Sequence, residues 1–134
     1  MQSDSNNQEG MAFLAENAKK TDVMTTASGL QYRIITAGSG SVPTEQSTVE
    51  VHYEGRLLDG TQFDSSITRG SPAQFGVTHV IAGWTEALQL MTEGSKWELF
   101  VPPELGYGSR GQGPIAANST LIFEVELLQA NIAQ

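Results

Sequence analysis

Cysteine is absent from these 134 residues, and histidine occurs only at positions 52 and 79. Without thiols there is no disulfide framework, no thiolate nucleophile and no sulfur-ligated metal. The two histidines stand in neither HxH nor HxxxH spacing, so no metal set is expected. His52 reads instead as an exposed residue on the polar face of a strand. Basic residues are scarce too: 7 Lys and Arg against 15 Asp and Glu leave a net charge of -8. Only Lys19 and Lys20 are adjacent, so there is no basic stripe for a nucleic-acid backbone or an anionic membrane. No apolar run approaches the roughly 20 residues of a membrane span. The first residues, Met1-Gln2-Ser3-Asp4-Ser5-Asn6-Asn7, lack the basic and apolar regions of a signal peptide. A chain that started here would stay in the cytoplasm; a longer precursor carrying a signal would place it in the periplasm.

The catalytic signatures of several enzyme classes are missing as well. There is no GxSxG elbow. The glycine-rich Gly108-Ser109-Arg110-Gly111-Gln112-Gly113 lacks the GK[ST] ending of a phosphate loop and reads as a mobile surface loop. Glu54 and Asp64 could suggest a glycosidase pair, but strand alternation sends Glu54 to water when Tyr53 points inward. Ser65-Ser66 after Asp64 reads as a cap or turn.

What is present is a change of period along the chain. Residues 1–8 read as a disordered lead-in. Residues 9–20 carry Met11, Leu14, Ala15 and Ala18 at helical spacing, a thin stripe on a helix that is marginal in isolation and needs a surface to lean on. Residues 21–28 read as a polar connector. From Gly29 the period becomes 2. Leu30-Tyr32-Ile34, Val49-Val51-Tyr53, Trp97-Leu99-Val101 and Leu121-Phe123-Val125-Leu127 alternate with polar neighbours, as half-buried strands do. Asp59-Gly60 is a hairpin signal, Phe63 and Phe75 continue the strands beyond it, and Arg69-Gly70-Ser71-Pro72 reads as a bend or bulge. Trp84, Ala87, Leu88 and Met91 form one face of a single helix, which Gly94 stops. The expected fold is α+β: an antiparallel half-barrel sheet wrapped around one short α-helix, preceded by an N-terminal linker helix. The expected division is residues 1–27 as lead-in and linker, and 28–134 as the domain.

Tyr53, Phe63, Phe75, Val80, Ile81, Trp84, Tyr107, Ile115 and Phe123, with Asp64 among them, form an aromatic and aliphatic set. Singly, each reads as core. Tyr107 is different: in a glycine-rich loop it has little core to join and rims a cavity instead. An apolar pocket with one carboxylate and no nucleophile suits chemistry in which no bond is broken.

In order and spacing, Val51-His52-Tyr53-Glu54-Gly55, Gly60-Thr61-Gln62-Phe63-Asp64-Ser65-Ser66, Val80-Ile81-Ala82-Gly83-Trp84, Pro103-Glu104-Leu105-Gly106-Tyr107-Gly108 and Leu121-Ile122-Phe123-Glu124-Val125-Glu126-Leu127 resemble the FKBP family of peptidyl-prolyl cis-trans isomerases. The likeness spans roughly residues 28–129. Glu16-Asn17-Ala18-Lys19-Lys20 and Ser28-Gly29-Leu30-Gln31-Tyr32 look like the bacterial macrophage-infectivity-potentiator-like branch, with the helix at 9–20 as a remnant of the linker to a dimerisation domain. The resemblance implies an isomerase acting on Xaa-Pro bonds, without a cofactor, and binding tacrolimus- and rapamycin-type macrolides. It implies Trp84 as pocket floor, with Tyr53, Phe63, Phe75, Val80, Ile81 and Phe123 as walls. The Ile81 N–H and the Tyr107 hydroxyl would bind ligand carbonyls, Asp64 would lie beside the twisted amide, and Arg69 and Ile115 would contribute to binding. Asp64, Tyr107 and Tyr53 are the expected catalytic residues. There are two departures from the family pattern: Ala73 stands where many members carry an aromatic, and Ala116-Ala117 stand where a proline or two is usual. The alternative is a chaperone or scaffold holding proline-containing chains with little turnover. A third reading, a hydrolase using Asp64, predicts a cleaved product. A monomer is expected, becoming a dimer where a longer chain supplies an N-terminal dimerisation domain.

Overall fold

The computed structural model describes residues 2–58, 60–108, 115 and 119–130. Helix α1 spans Gln2–Asn17, followed by strands β1 (Val23–Thr25), β2 (Gln31–Thr36), β3 (Thr48–Leu57) and β4 (Gln62–Ser65). The short helix α2 (Ser66–Arg69) leads to β5 (Ala73–Gly76), a 3-10 turn (Val77–His79) and α3 (Ala82–Leu88). Then come β6 (Lys96–Val101), a second 3-10 turn (Pro103–Leu105) and β7 (Leu121–Gln129).

The strands form one antiparallel seven-stranded sheet in the order β1-β2-β6-β7-β3-β4, with β5 also on β3. β3 is long enough to serve two partners along one edge: residues 48–51 pair with β5 and residues 54–56 with β4. Strict alternation on β3 and β7 buries Val49, Val51, Tyr53, Leu121, Phe123, Val125 and Leu127 on one face, where α3 lays Trp84, Ala87 and Leu88 against them. Met91 is fully buried too, just beyond α3, which ends at Leu88; Gly94 instead takes φ +91° in the turn entering β6. At the hairpin after β3, Gly60 takes φ +91° and donates to the Leu57 carbonyl. Asp59 lies outside the described residues.

The structure departs from the sequence pattern in several places. On β2 the expected alternation fails at Ile34, which is 45% exposed. Helix α1 begins at Gln2, so residues 2–8 are helical rather than a lead-in, and it ends at Asn17, before the two lysines. Its buried face is Gly10 and Asn17 with Phe13 and Leu14 half-buried between them, one position off the apolar stripe; Met11 is 64% exposed. That face leans on the outer side of the sheet. Phe13 packs on Phe100 with ring centroids 5.8 Å apart, Asn17 Nδ2 donates to Gln31 Oε1 at 2.8 Å, and Gln31 Nε2 donates to the Leu14 carbonyl at 2.9 Å. Phe100 and Gln31, buried against alternation, are explained by this helix. The polar connector contains β1, whose Val23 pairs with Arg33. The expected bend at 69–72 is in part helix: Ser65 caps α2 by accepting from the Thr68 N–H, and Gly70 closes it at φ +77°. Finally, His52 is half-buried on the polar face, its Nδ1 2.9 Å from Ser66 Oγ, rather than exposed.

Candidate active site

Between the concave side of the sheet and α3 lies a cavity of about 430 Å³, a size suited to a small ligand or a short peptide segment. Its floor is Trp84, 4% exposed and met edge-on by three rings: Tyr53 at 5.2 Å, Phe123 at 5.3 Å and Phe75 at 5.7 Å between centroids. These near-perpendicular pairs are a favoured aromatic geometry and hold the floor rigid. Trp84 Nε1 is buried without a hydrogen-bond partner among the described residues. Phe63 stands edge-on to Phe123 at 5.6 Å and forms another wall. Their closeness depends on Gly55, where a Cβ would come within 2.6 Å of Phe63 and 2.9 Å of Phe123.

Asp64, Tyr53 and Arg69 form a polar cluster at the site. Asp64 on β4 accepts the Tyr53 hydroxyl at 2.6 Å through Oδ2 and is paired with Arg69 through Oδ1. Arg69 Nη2 also donates to the Tyr53 hydroxyl at 3.0 Å, and its guanidinium lies 5.6 Å from the centre of that ring. The three side chains therefore form a closed ring of hydrogen bonds. α2 makes this possible: its capped, single-turn geometry returns Arg69 to the Asp64 that precedes it by five positions. Ser66 anchors the arrangement from below, its Oγ accepting the Tyr53 N–H at 2.8 Å. Burial opposes charge on Asp64, yet the Tyr53 and Arg69 hydrogen bonds, the Arg69 charge and the Ser65 N–H together hold its carboxyl below the usual carboxylate value. Tyr53 is pushed up, by burial first and by the neighbouring carboxylate; Tyr107 is pushed up by burial and then by the Asp64 charge. Both phenols thus stay protonated donors across the neutral range.

Nine of the expected residues line this one cavity: Tyr53, Phe63, Asp64, Phe75, Val80, Ile81, Trp84, Tyr107 and Phe123. Arg69 reaches it through Asp64 and Tyr53. Ile115 is 6% exposed within the core and is not among the cavity-lining residues. Ala73 is half-buried opposite Val51; Ala116 and Ala117 lie outside the described residues, as does most of the glycine-rich loop. Sequence reading missed His79, which lines the cavity from the 3-10 turn after β5. Its only advance signal was its place one residue before Val80-Ile81.

Residues 40–128 match the family model for FKBP-type peptidyl-prolyl cis-trans isomerase, and residues 1–34 match the domain amino-terminal to such isomerases. The FKBP-type 22 kDa peptidyl-prolyl cis-trans isomerase of Escherichia coli is 58% identical over 122 residues, covering 90% of this chain and 59% of that protein. The outer membrane protein MIP of Legionella longbeachae is 52% identical over 129 residues, covering 96% of this chain and 55% of that protein. This chain thus spans little more than half the length of these two relatives. The crystal structure of FkpA from Escherichia coli superposes with a TM-score of 0.95 at 43% identity, covering 99% of this chain and 62% of that one. With the sheet, the single core helix and the order of the motifs all in agreement, the chain belongs to the FKBP-type peptidyl-prolyl cis-trans isomerase family.

Proposed function

We propose that this chain accelerates cis-trans rotation about Xaa-Pro bonds, and that residues 28–134 carry the activity. The reading is supported above all by an aromatic-floored cavity edged by an Asp64–Tyr53–Arg69 cluster whose members are bonded to one another. Rotation about a peptide bond is opposed by a resonance barrier of about 18–20 kcal/mol. The two Xaa-Pro isomers differ by only about 0.5–1 kcal/mol, so a catalyst need only bind the twisted amide more tightly than either planar form. Twisting removes amide resonance and with it charge separation, which an apolar cavity favours.

In this reading the proline ring sits over Trp84, among Tyr53, Phe75 and Phe123. The Ile81 N–H and the Tyr107 hydroxyl donate to substrate carbonyls flanking the bond. Asp64, fixed as an anion by Tyr53 and Arg69, contributes a preoriented negative charge beside the twisting amide and transfers no proton. Proline-containing polypeptides are the substrates, and tacrolimus- and rapamycin-type macrolides occupy the same cavity. Without an added dimerisation interface the chain is a monomer, which sedimentation velocity tests. The function is tested by protease-free measurement of cis-to-trans relaxation in an Ala-Xaa-Pro peptide. Accelerated relaxation suppressed by rapamycin is expected. Tight rapamycin binding without acceleration would replace the enzyme by a binding module, and a cleaved peptide in the mass spectrum would indicate a hydrolase.

A further inference from the structure

Part of the polar lining of the cavity is spoken for. Asp64, Arg69 and Tyr53 close on one another. His79 differs: it lines the cavity, is exposed, and has no side-chain hydrogen bond among the described residues. Its backbone is nevertheless well held. The turn that carries it is tied to the core by the Val77 N–H on the Ser47 carbonyl at 3.0 Å and by Thr85 Oγ1 on the Val77 carbonyl at 2.7 Å. The ring itself rests on Gly76, where a Cβ would lie 2.7 Å from Nδ1 and 3.3 Å from Cε1. Gly76 has φ -70° and ψ 137°, a conformation open to any residue, so close approach of the imidazole, not the backbone, is what a side chain there would disturb. With the Nδ1 edge against Gly76, Nε2 is the nitrogen left to face a ligand.

We propose that His79 is a specificity-determining residue of this site, contacting the side chain of a substrate residue beside the Xaa-Pro bond and favouring an acidic residue there over a basic one. The inference rests on the reading of the cavity as an Xaa-Pro site. An Nε2–H donates to a carboxylate whether the ring is neutral or charged; the ring could accept from a lysine ammonium only as the neutral Nδ1–H tautomer, whose proton would be turned onto Gly76 with no acceptor there among the described residues. A hydrogen bond of this kind corresponds to about a 3- to 10-fold preference.

The test is a peptide panel with Glu or Lys at each of the two positions before and after the Xaa-Pro pair, assayed with the unaltered chain and with His79→Phe. Both proteins carry the same acidic background, so its general field cancels in the comparison. At one or more positions the Glu-to-Lys ratio of kcat/KM is expected to be about 3- to 10-fold higher for the unaltered chain. Gly76→Ala should lower that ratio by displacing the ring, and should have no further effect on it in the His79→Phe background. Equal ratios in the unaltered chain and His79→Phe at every position would overturn the proposal. Peptide affinities measured by NMR titration separate the two claims. A Glu preference in binding that needs His79, without turnover, supports the specificity role while refuting the isomerase reading. Turnover with no His79-dependent preference does the reverse.

Discussion

Replacing Tyr53 by Phe removes one oxygen from the hydrogen-bonded ring while keeping the contacts to Trp84 and Phe75. That oxygen donates to Asp64 at 2.6 Å and accepts from Arg69 at 3.0 Å. Hydrogen bonds to charged groups contribute about 1.5–3 kcal/mol. The Asp64 side chain is 42% exposed, and water there replaces part of what is lost, so about 1 kcal/mol of stability is the expected deficit at neutral pH. The Asp64 carboxyl should rise toward its ordinary value, since one of the groups outweighing its burial has gone. The pH dependence follows in sign. A carboxyl depressed in the folded state contributes stability above its unfolded pKa and loses it as pH falls through the folded value. Because the variant has less depression to lose, its deficit should shrink on acidification. Urea unfolding at neutral and acid pH, with the Asp64 carboxyl followed by carbon-detected NMR, measures both effects. An unmoved Asp64 titration, or a deficit that grows in acid, would refute the role given to this ring.

Asp64→Asn keeps the shape and removes the charge; kcat/KM should fall about tenfold or more, corresponding to roughly 1.4 kcal/mol of transition-state stabilisation, and full activity would make the carboxylate's charge irrelevant. Gly55→Ala should push Phe63 and Phe123 apart, costing about 1–3 kcal/mol by overpacking and weakening macrolide binding measured by calorimetry. Unchanged affinity would show that these walls are not part of the binding surface. Gly10→Ala places a methyl group against Thr120 Oγ1. It should loosen α1 by about 1–3 kcal/mol, seen as faster amide exchange in the helix, and unchanged exchange would mean that the helix does not depend on this close approach.

Strands β3 and β7 were legible because one face of each is buried and the other solvated. Leu121-Phe123-Val125-Leu127 and Val49-Val51-Tyr53 carry that contrast in their own residues. The α1 face was not legible in the same way. Gly10 and Asn17 are buried because a backbone needs to approach Thr120 and an amide finds Gln31, and neither fact has a hydrophobic signature. Phe100 and Gln31, which break the alternation of their strands, become intelligible only once that helix is in place. β1, at 3 residues, is too short to show a period. Helix α2 depends on the Ser65 cap and the positive φ of Gly70, local signals that fit a bend equally well. In the site, the aromatic residues and Asp64 were recognisable as a set. The closure of Asp64, Tyr53 and Arg69 into one hydrogen-bonded ring depends on how α2 turns, and His79 on how β5 ends; both are tertiary facts.

Rotation accelerated inside the cavity floored by Trp84 can be followed directly. The indole Nε1–H resonance of Trp84 reports on that floor, and the indole of Trp97, stacked on Tyr32 at 4.3 Å, serves as an internal control. Titration with an Xaa-Pro peptide should shift the Trp84 indole over the same concentration range in which cis and trans peptide signals begin to exchange. Rapamycin should abolish both, and the Trp97 indole should stay in place. Exchange that speeds up while the Trp84 indole stays still, or a shifted indole with unaccelerated exchange, would show that rotation is not catalysed in this cavity.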